Sequence, residues 1–81
     1  MKARIYVFLK PKVLDPQGKA IEKALSTLGF EEVKSVRAGK FFEVETGDVP
    51  PGKEEETLRE YCRKLLVNAV IEDYRIEVIE K

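Results

Sequence analysis

Residues 3 to 9 alternate, with Ala3, Ile5, Val7 and Leu9 on one face and Arg4, Tyr6 and Phe8 on the other, which is the period of a β-strand. Both faces carry apolar groups. From Pro16 the period lengthens: Ile21, Ala24, Leu25 and Leu28 follow the i, i+3, i+4, i+7 spacing of one buried helical stripe. Asp15 is placed to cap this helix by accepting backbone N–H bonds, and Pro16, which has no amide hydrogen, suits the first helical position. The helix is expected to run to about Leu28, with Gly29 as a left-handed stop.

Residues 32–37 and 41–46 read as two strands, with Ala38-Gly39-Lys40 as a tight turn needing positive φ near Gly39; one long bent strand is the alternative. Gly47 to Gly52, with Pro50 and Pro51, is a loop. Glu54, Glu55 and Glu56 then put negative charge at the positive end of a second helix. Its apolar stripe is Leu58, Tyr61, Cys62, Leu65 and Leu66. Asn68 falls near the helix end, where left-handed backbone is common, and residues 72–79 alternate through Tyr74, Ile76 and Val78 as a last strand.

This order of elements predicts an α+β, ferredoxin-like βαββαβ fold, a four-stranded antiparallel sheet with two helices on one face. Helices on one face leave the other open, and Tyr6, Phe8, one of Phe41 or Phe42, and Ile79 are candidates for that side. Such a patch predicts self-association as a homodimer or higher homo-oligomer, assigned here to Tyr6, Phe8 and Phe41.

Length and composition narrow the function. At 81 residues the chain makes one domain, residues 1–81. A lone domain of this size buries only roughly 60 to 65 percent of its unfolded surface, so association would add needed stability. Fifteen basic and fifteen acidic residues give zero net charge, so no global field draws the chain to nucleic acid or to anionic lipid. A charged fraction of 37% with very little Asn, Gln, Cys or Met resembles the composition of heat-adapted proteins. The single Cys62 excludes an intrachain disulfide and fits a reducing, cytoplasmic compartment. The apolar run before Lys10 is too short for a signal-peptide core or a membrane span.

With no histidine, the usual general acid-base residue and the commonest metal ligand are missing, and Cys62 on an apolar stripe reads as a small core residue. The acidic groups at Glu31 and Glu32, Glu54 to Glu56, and Glu72 and Asp73 sit at element ends and read as solvated. The scattered glycines form no phosphate cradle, so no cofactor is expected on this chain. Lys10, Lys12, Arg37 and Lys40 would converge if the first connection and the 38–40 turn lie close together. Gly39-Lys40-Phe41-Phe42-Glu43-Val44-Glu45 matches the RNA-recognition signature only loosely and puts glutamates on the surface that would meet RNA. What stands out instead is scarcity: Gln17 is the only glutamine and Asn68 the only asparagine, and both fall at turns.

Three segments taken in order resemble the PurS family, the small subunit of phosphoribosylformylglycinamidine (FGAM) synthase. They are Lys12-Val13-Leu14-Asp15-Pro16-Gln17-Gly18, Val36-Arg37-Ala38-Gly39-Lys40, and Leu65-Leu66-Val67-Asn68-Ala69-Val70-Ile71-Glu72-Asp73-Tyr74. Ala69 stands where the family commonly has proline. The resemblance implies a non-catalytic subunit in purine biosynthesis that dimerises and joins the glutaminase PurQ to the synthetase PurL. Glutamine-derived ammonia would then serve the ATP-dependent amidination of formylglycinamide ribonucleotide, with ATP and magnesium used by the synthetase. Asp15, Gln17, Gly18, Arg37, Gly39, Lys40 and Asn68 are then expected to contact partners or to shape the turns that do. The competing class is an ACT-like amino-acid-binding regulatory module, which shares the element order; Asp15-Pro16-Gln17-Gly18 differs from its turn motif in the position of the proline.

Overall fold

The computed structural model describes residues 1–81. Strand β1 (Lys2–Leu9) is the centre of a three-stranded antiparallel sheet, flanked by β2 (Gly39–Glu45) and β3 (Glu72–Glu80) in the order β2-β1-β3. Its doubly apolar sequence explains the central place. Ala3, Ile5 and Val7 point to one side and are buried, and Ile5 lies between Phe42 of β2 and Ile76 of β3. Helix α1 spans Pro16–Thr27, and helix α2 (Glu54–Tyr61) continues into a π-helical turn, Cys62–Leu66, closed by Val67 N donating to Cys62 O at 3.0 Å. Leu58 and Cys62 of this second helix complete the core against Ala3, Ile5 and Val7. Cys62 is therefore the core residue its stripe implied, and burial pushes its thiol pKa up.

The α+β class holds, and the structure corrects the expected arrangement in four places. The strand expected at 32–37 does not form, so the chain has three strands and no hairpin. Gly39 has no positive φ; it opens β2 opposite Phe8, and residues 31–38 pass through a turn at 31–32 and then carry no helix or strand. The physical reason is competition: Val36 N donates to Glu22 and Ala38 N to Asp15, both on the α1 side, so this segment lies along α1 instead of turning back on β2.

Second, only α2 packs on the sheet. α1 buries Gly18 alone, and Ile21, Leu28 and the following Phe30 are exposed. Third, the π-helical turn carries Leu65 out of its stripe, leaving it 85% exposed. Fourth, Asn68 is not left-handed, since no non-glycine residue has positive φ. Gly29, by contrast, stops α1 at φ +98° as its position implied. The result is a thin, elongated chain of 51 × 25 × 14 Å.

Candidate functional site: a polar network at one end of the sheet

Asp15 is the buried centre of the site. As the N-cap of α1 its Oδ1 accepts from Gly18 N at 2.9 Å, and its Oδ2 accepts from Ala38 N at 2.8 Å. One carboxylate thus ties the start of α1 to the segment leading into β2. These two amides, the Gly18 one first, and then the Arg37 guanidinium at 4.0 Å outweigh burial and hold the Asp15 carboxyl below its ordinary value.

Gly18 is small because the chain returns over it: a Cβ there would stand 2.3 Å from Val36 O. Gly39 has a similar reason, with a Cβ placed 2.7 Å from Val7 O. Both glycines permit close backbone approach, whereas the residue order at 38–40 had implied a turn.

Arg37 collects the carbonyls of the β1–α1 connection. Its Nη2 donates to Lys10 O at 3.0 Å, Leu9 O at 3.3 Å and Val13 O at 3.4 Å. A planar guanidinium can serve several carbonyls at once and an ammonium on a flexible stem cannot. Arg37→Lys is expected to lower stability by about 1 kcal/mol, the net worth of a hydrogen bond or two, read as a lower urea midpoint with unchanged slope. An unchanged midpoint would show that these contacts contribute nothing.

On the β3 side, Lys40 Nζ lies 3.6 Å from Glu72 Oε2, and Glu72 Oε1 accepts from Asn68 N at 2.8 Å. Asn68 builds its own turn. Its Oδ1 accepts from Val70 N at 3.1 Å and its backbone oxygen from Ile71 N and Glu72 N at 3.1 and 2.7 Å. The turn therefore closes with Ala69 in place of proline. Lys10 N, donating to Ile71 O at 2.9 Å, joins the two sides.

The seven residues singled out at the turns thus meet at one end of the sheet. Asp15, Gln17, Gly39 and Lys40 line a cleft of about 250 Å³ together with Phe8 and Glu72. Gln17 and Asn68 are exposed there. Of the four basic groups expected to converge, the side chains of Arg37 and Lys40 are engaged there, and those of Lys10 and Lys12 make no hydrogen bond or ion pair. Two carboxylates were missed. Glu72, read as solvated, is half-buried and engaged with Lys40 and Asn68, and Glu22 accepts from Val36 N at 3.1 Å. Only the partners distinguish them from other acidic residues of the chain.

Tyr6 and Phe41 belong to a different surface, the sheet face away from α2. Their rings stack at 5.8 Å, Arg75 covers Tyr6 at 4.7 Å, and Arg4 reaches Glu43 and Glu77 at 3.5 and 3.8 Å. Phe8 is on this face and also lines the cleft. No cluster of three or more His, Cys, Asp or Glu side chains is arranged to hold a metal ion.

The sequence matches known proteins along nearly the whole chain. The family model "PurS: Phosphoribosylformylglycinamidine (FGAM) synthase" matches residues 2–80. The chain belongs to the PurS family. A PurS subunit of phosphoribosylformylglycinamidine synthase from Bacillus subtilis is 47% identical over 79 residues, covering 98% of this chain and 93% of that protein. One from Methanocaldococcus jannaschii is 42% identical over 77 residues, covering 95% and 93%. Among solved structures, B. subtilis PurS superposes with a TM-score of 0.86 at 46% identity, covering 98% of each chain. A chain from the structure of PurLQS from Thermotoga maritima gives 0.84 at 34% identity, covering 94% of this chain and 93% of that one. The PurS likeness therefore spans both the three-stranded sheet and the arm formed by α1 and residues 28–38. No helix of the chain is long and apolar enough to cross a membrane.

Proposed function

We propose that this chain, as one PurS-like unit over residues 1–81, is the non-catalytic subunit that joins PurL and PurQ in a cytoplasmic FGAM synthase. Glutamine-derived ammonia thereby serves the ATP-dependent amidination of formylglycinamide ribonucleotide, and ATP and magnesium are used by the synthetase. The observation that carries this is family membership along residues 2–80 together with the close likeness to a chain of the T. maritima PurLQS structure.

The geometry supports a division of roles within the network. Asp15, Gly18, Arg37 and Gly39 are consumed in holding the backbone, so they shape the surface. Gln17, Lys40 and Asn68 are exposed and present polar groups to a partner subunit. The aromatic face of Tyr6, Phe8 and Phe41 serves self-association, Phe41 being 57% exposed beside polar groups of the kind that rim protein interfaces. The ferredoxin-like four-stranded sheet is in this reading a property of the assembled subunit and not of one chain.

Reconstitution tests the bridging role. Purified PurL and PurQ from the same organism are assayed with and without this chain, with glutamine or with free ammonia as nitrogen source. Omitting the chain is expected to abolish the glutamine-dependent reaction while most of the ammonia-dependent reaction survives. If omission alters neither activity nor complex size, the bridging role is wrong.

A further inference from the structure

The net charge of zero hides a segregation of charge along the chain. Residues 1–40 carry nine basic and four acidic side chains, and residues 41–81 carry six and eleven. Part of the basic surplus lies on the connection between β1 and α1. The side chains of Lys10 and Lys12 make no ion pair or hydrogen bond there. Asp15, the nearest acidic residue in sequence, is buried and spent on Gly18, Ala38 and Arg37. By contrast Lys19, Lys40, Lys53, Arg59 and Arg63 are each held by a glutamate.

This connection is exposed yet braced. Pro11 and Pro16 fix φ at two points. Lys10 N donates to Ile71 O and Val13 N to Lys10 O, both at 2.9 Å, and Arg37 gathers the carbonyls of Leu9, Lys10 and Val13. The side chains are left to solvent: Lys12 and Leu14 are exposed, Leu14 at 72%, and Lys10 is half-buried. A connection whose backbone is held while its side chains stay free is preorganised, so binding through it costs little loop ordering. A free phosphate suits it poorly, because Pro11 has no amide hydrogen and the amides of Lys10 and Val13 are already bonded. An apolar side chain beside unpaired charge instead matches the centre and rim of a protein contact.

We propose that the Lys10–Leu14 connection is a docking knob that seats on an acidic patch of a partner subunit of the synthase. Leu14 makes the apolar contact, and Lys10 and Lys12 meet carboxylates around it. The inference rests on the bridging role and deepens it by naming the surface and the chemistry of its counterpart. Charge selects the occupant. The aromatic face of Tyr6, Phe8 and Phe41 neutralises its own charges, Arg4 pairing with Glu43 and Glu77, so it offers a second copy's knob no surplus of acid. Exposed lysines of this kind steer association and set its salt dependence.

Lysine acetylation read by mass spectrometry tests this on the unmodified proteins. Lys12 and Lys81 should both be modified in the chain alone; in the complex with PurL and PurQ, Lys12 should be spared and Lys81, at the opposite end of the sheet, should not. A variant supplies the second measurement. Lys10→Glu combined with Lys12→Glu reverses two side chains that make no bond within the chain, so the fold is left intact. In the glutamine-dependent reaction, the concentration of this chain that gives half the maximal rate should rise by about 10-fold or more, and the difference should narrow at high salt. Lys81→Glu should leave that concentration within about twofold of wild type. Three results would each overturn the docking knob: Lys12 labelled as fast in the complex as in the chain alone, Lys12 already protected in the chain alone by a second copy, or a double variant that saturates at the wild-type concentration. A wild-type chain that fails to stimulate the glutamine-dependent reaction would overturn the bridging role and the knob with it, so the two failures are told apart.

Discussion

Asp15→Asn is expected to destabilise the chain at neutral pH more than neutralising any exposed carboxylate, and to remove most of its acid sensitivity near the ordinary carboxylate pKa. Asp15 offers two acceptor oxygens to two amides, those of Gly18 and Ala38. An asparagine keeps one acceptor and turns an NH2 donor toward the other amide, leaving a buried donor unpaired, which is among the more damaging single changes. Because the folded carboxyl is held below its unfolded value, its contribution is present at neutral pH, above the unfolded pKa. It is lost as pH falls through the folded pKa. Urea midpoints of wild type and variant measured from pH 7 downward should therefore differ most at pH 5–7 and converge in acid. Glu43→Gln is the control: it removes an exposed pair with Arg4, a type of contact worth about 0–1 kcal/mol. Curves that stay parallel to the lowest pH would show that the Asp15 charge contributes nothing to folding.

The ends of the elements were legible because their signals are local. Asp15-Pro16 marked the start of α1, Gly29 its end, and three glutamates the first turn of α2, each within a residue or two of the observed boundary. The alternation of Ala3, Ile5 and Val7 located the core strand. What depends on distant pairing was not legible. Residues 32–37 have the composition of a strand, but Val36 N and the following Ala38 N pair with the carboxylates of Glu22 on α1 and of Asp15 at its cap, and nothing in a strand's own sequence names its neighbour. Gly39 illustrates a second limit: one letter serves a turn or a close approach, and only the position of Val7 O decides. The site itself was half legible. Asp15, Gln17, Arg37, Lys40 and Asn68 stood out by rarity or by motif, whereas Glu72 and Glu22 matter only through what they touch. The exposure of Leu65 depends on a π-helical turn that apolar spacing does not encode.

Gly18→Ala tests the packing on which the arm depends. In an open helix the change would stabilise by about 1 kcal/mol, because alanine is the better helix former. Here the added methyl would stand 2.3 Å from Val36 O and 2.8 Å from Asp15 Oδ2, far inside contact distance, with backbone as the nearer neighbour. Forcing extra volume into a packed site costs about 1–3 kcal/mol, and against backbone the upper part of that range applies, so strain is expected to exceed the helix gain and stability to fall by up to about 2 kcal/mol. The displaced residues are those that carry Ala38 to Asp15, so the acid sensitivity assigned to Asp15 should weaken in the same variant. Gly47→Ala, where nothing lies within 4 Å of the new methyl, should stay within about 0.5 kcal/mol of wild type. Thermal and urea unfolding of the two variants side by side decide the matter. A Gly18→Ala chain as stable as wild type would mean that the return segment does not rest on α1.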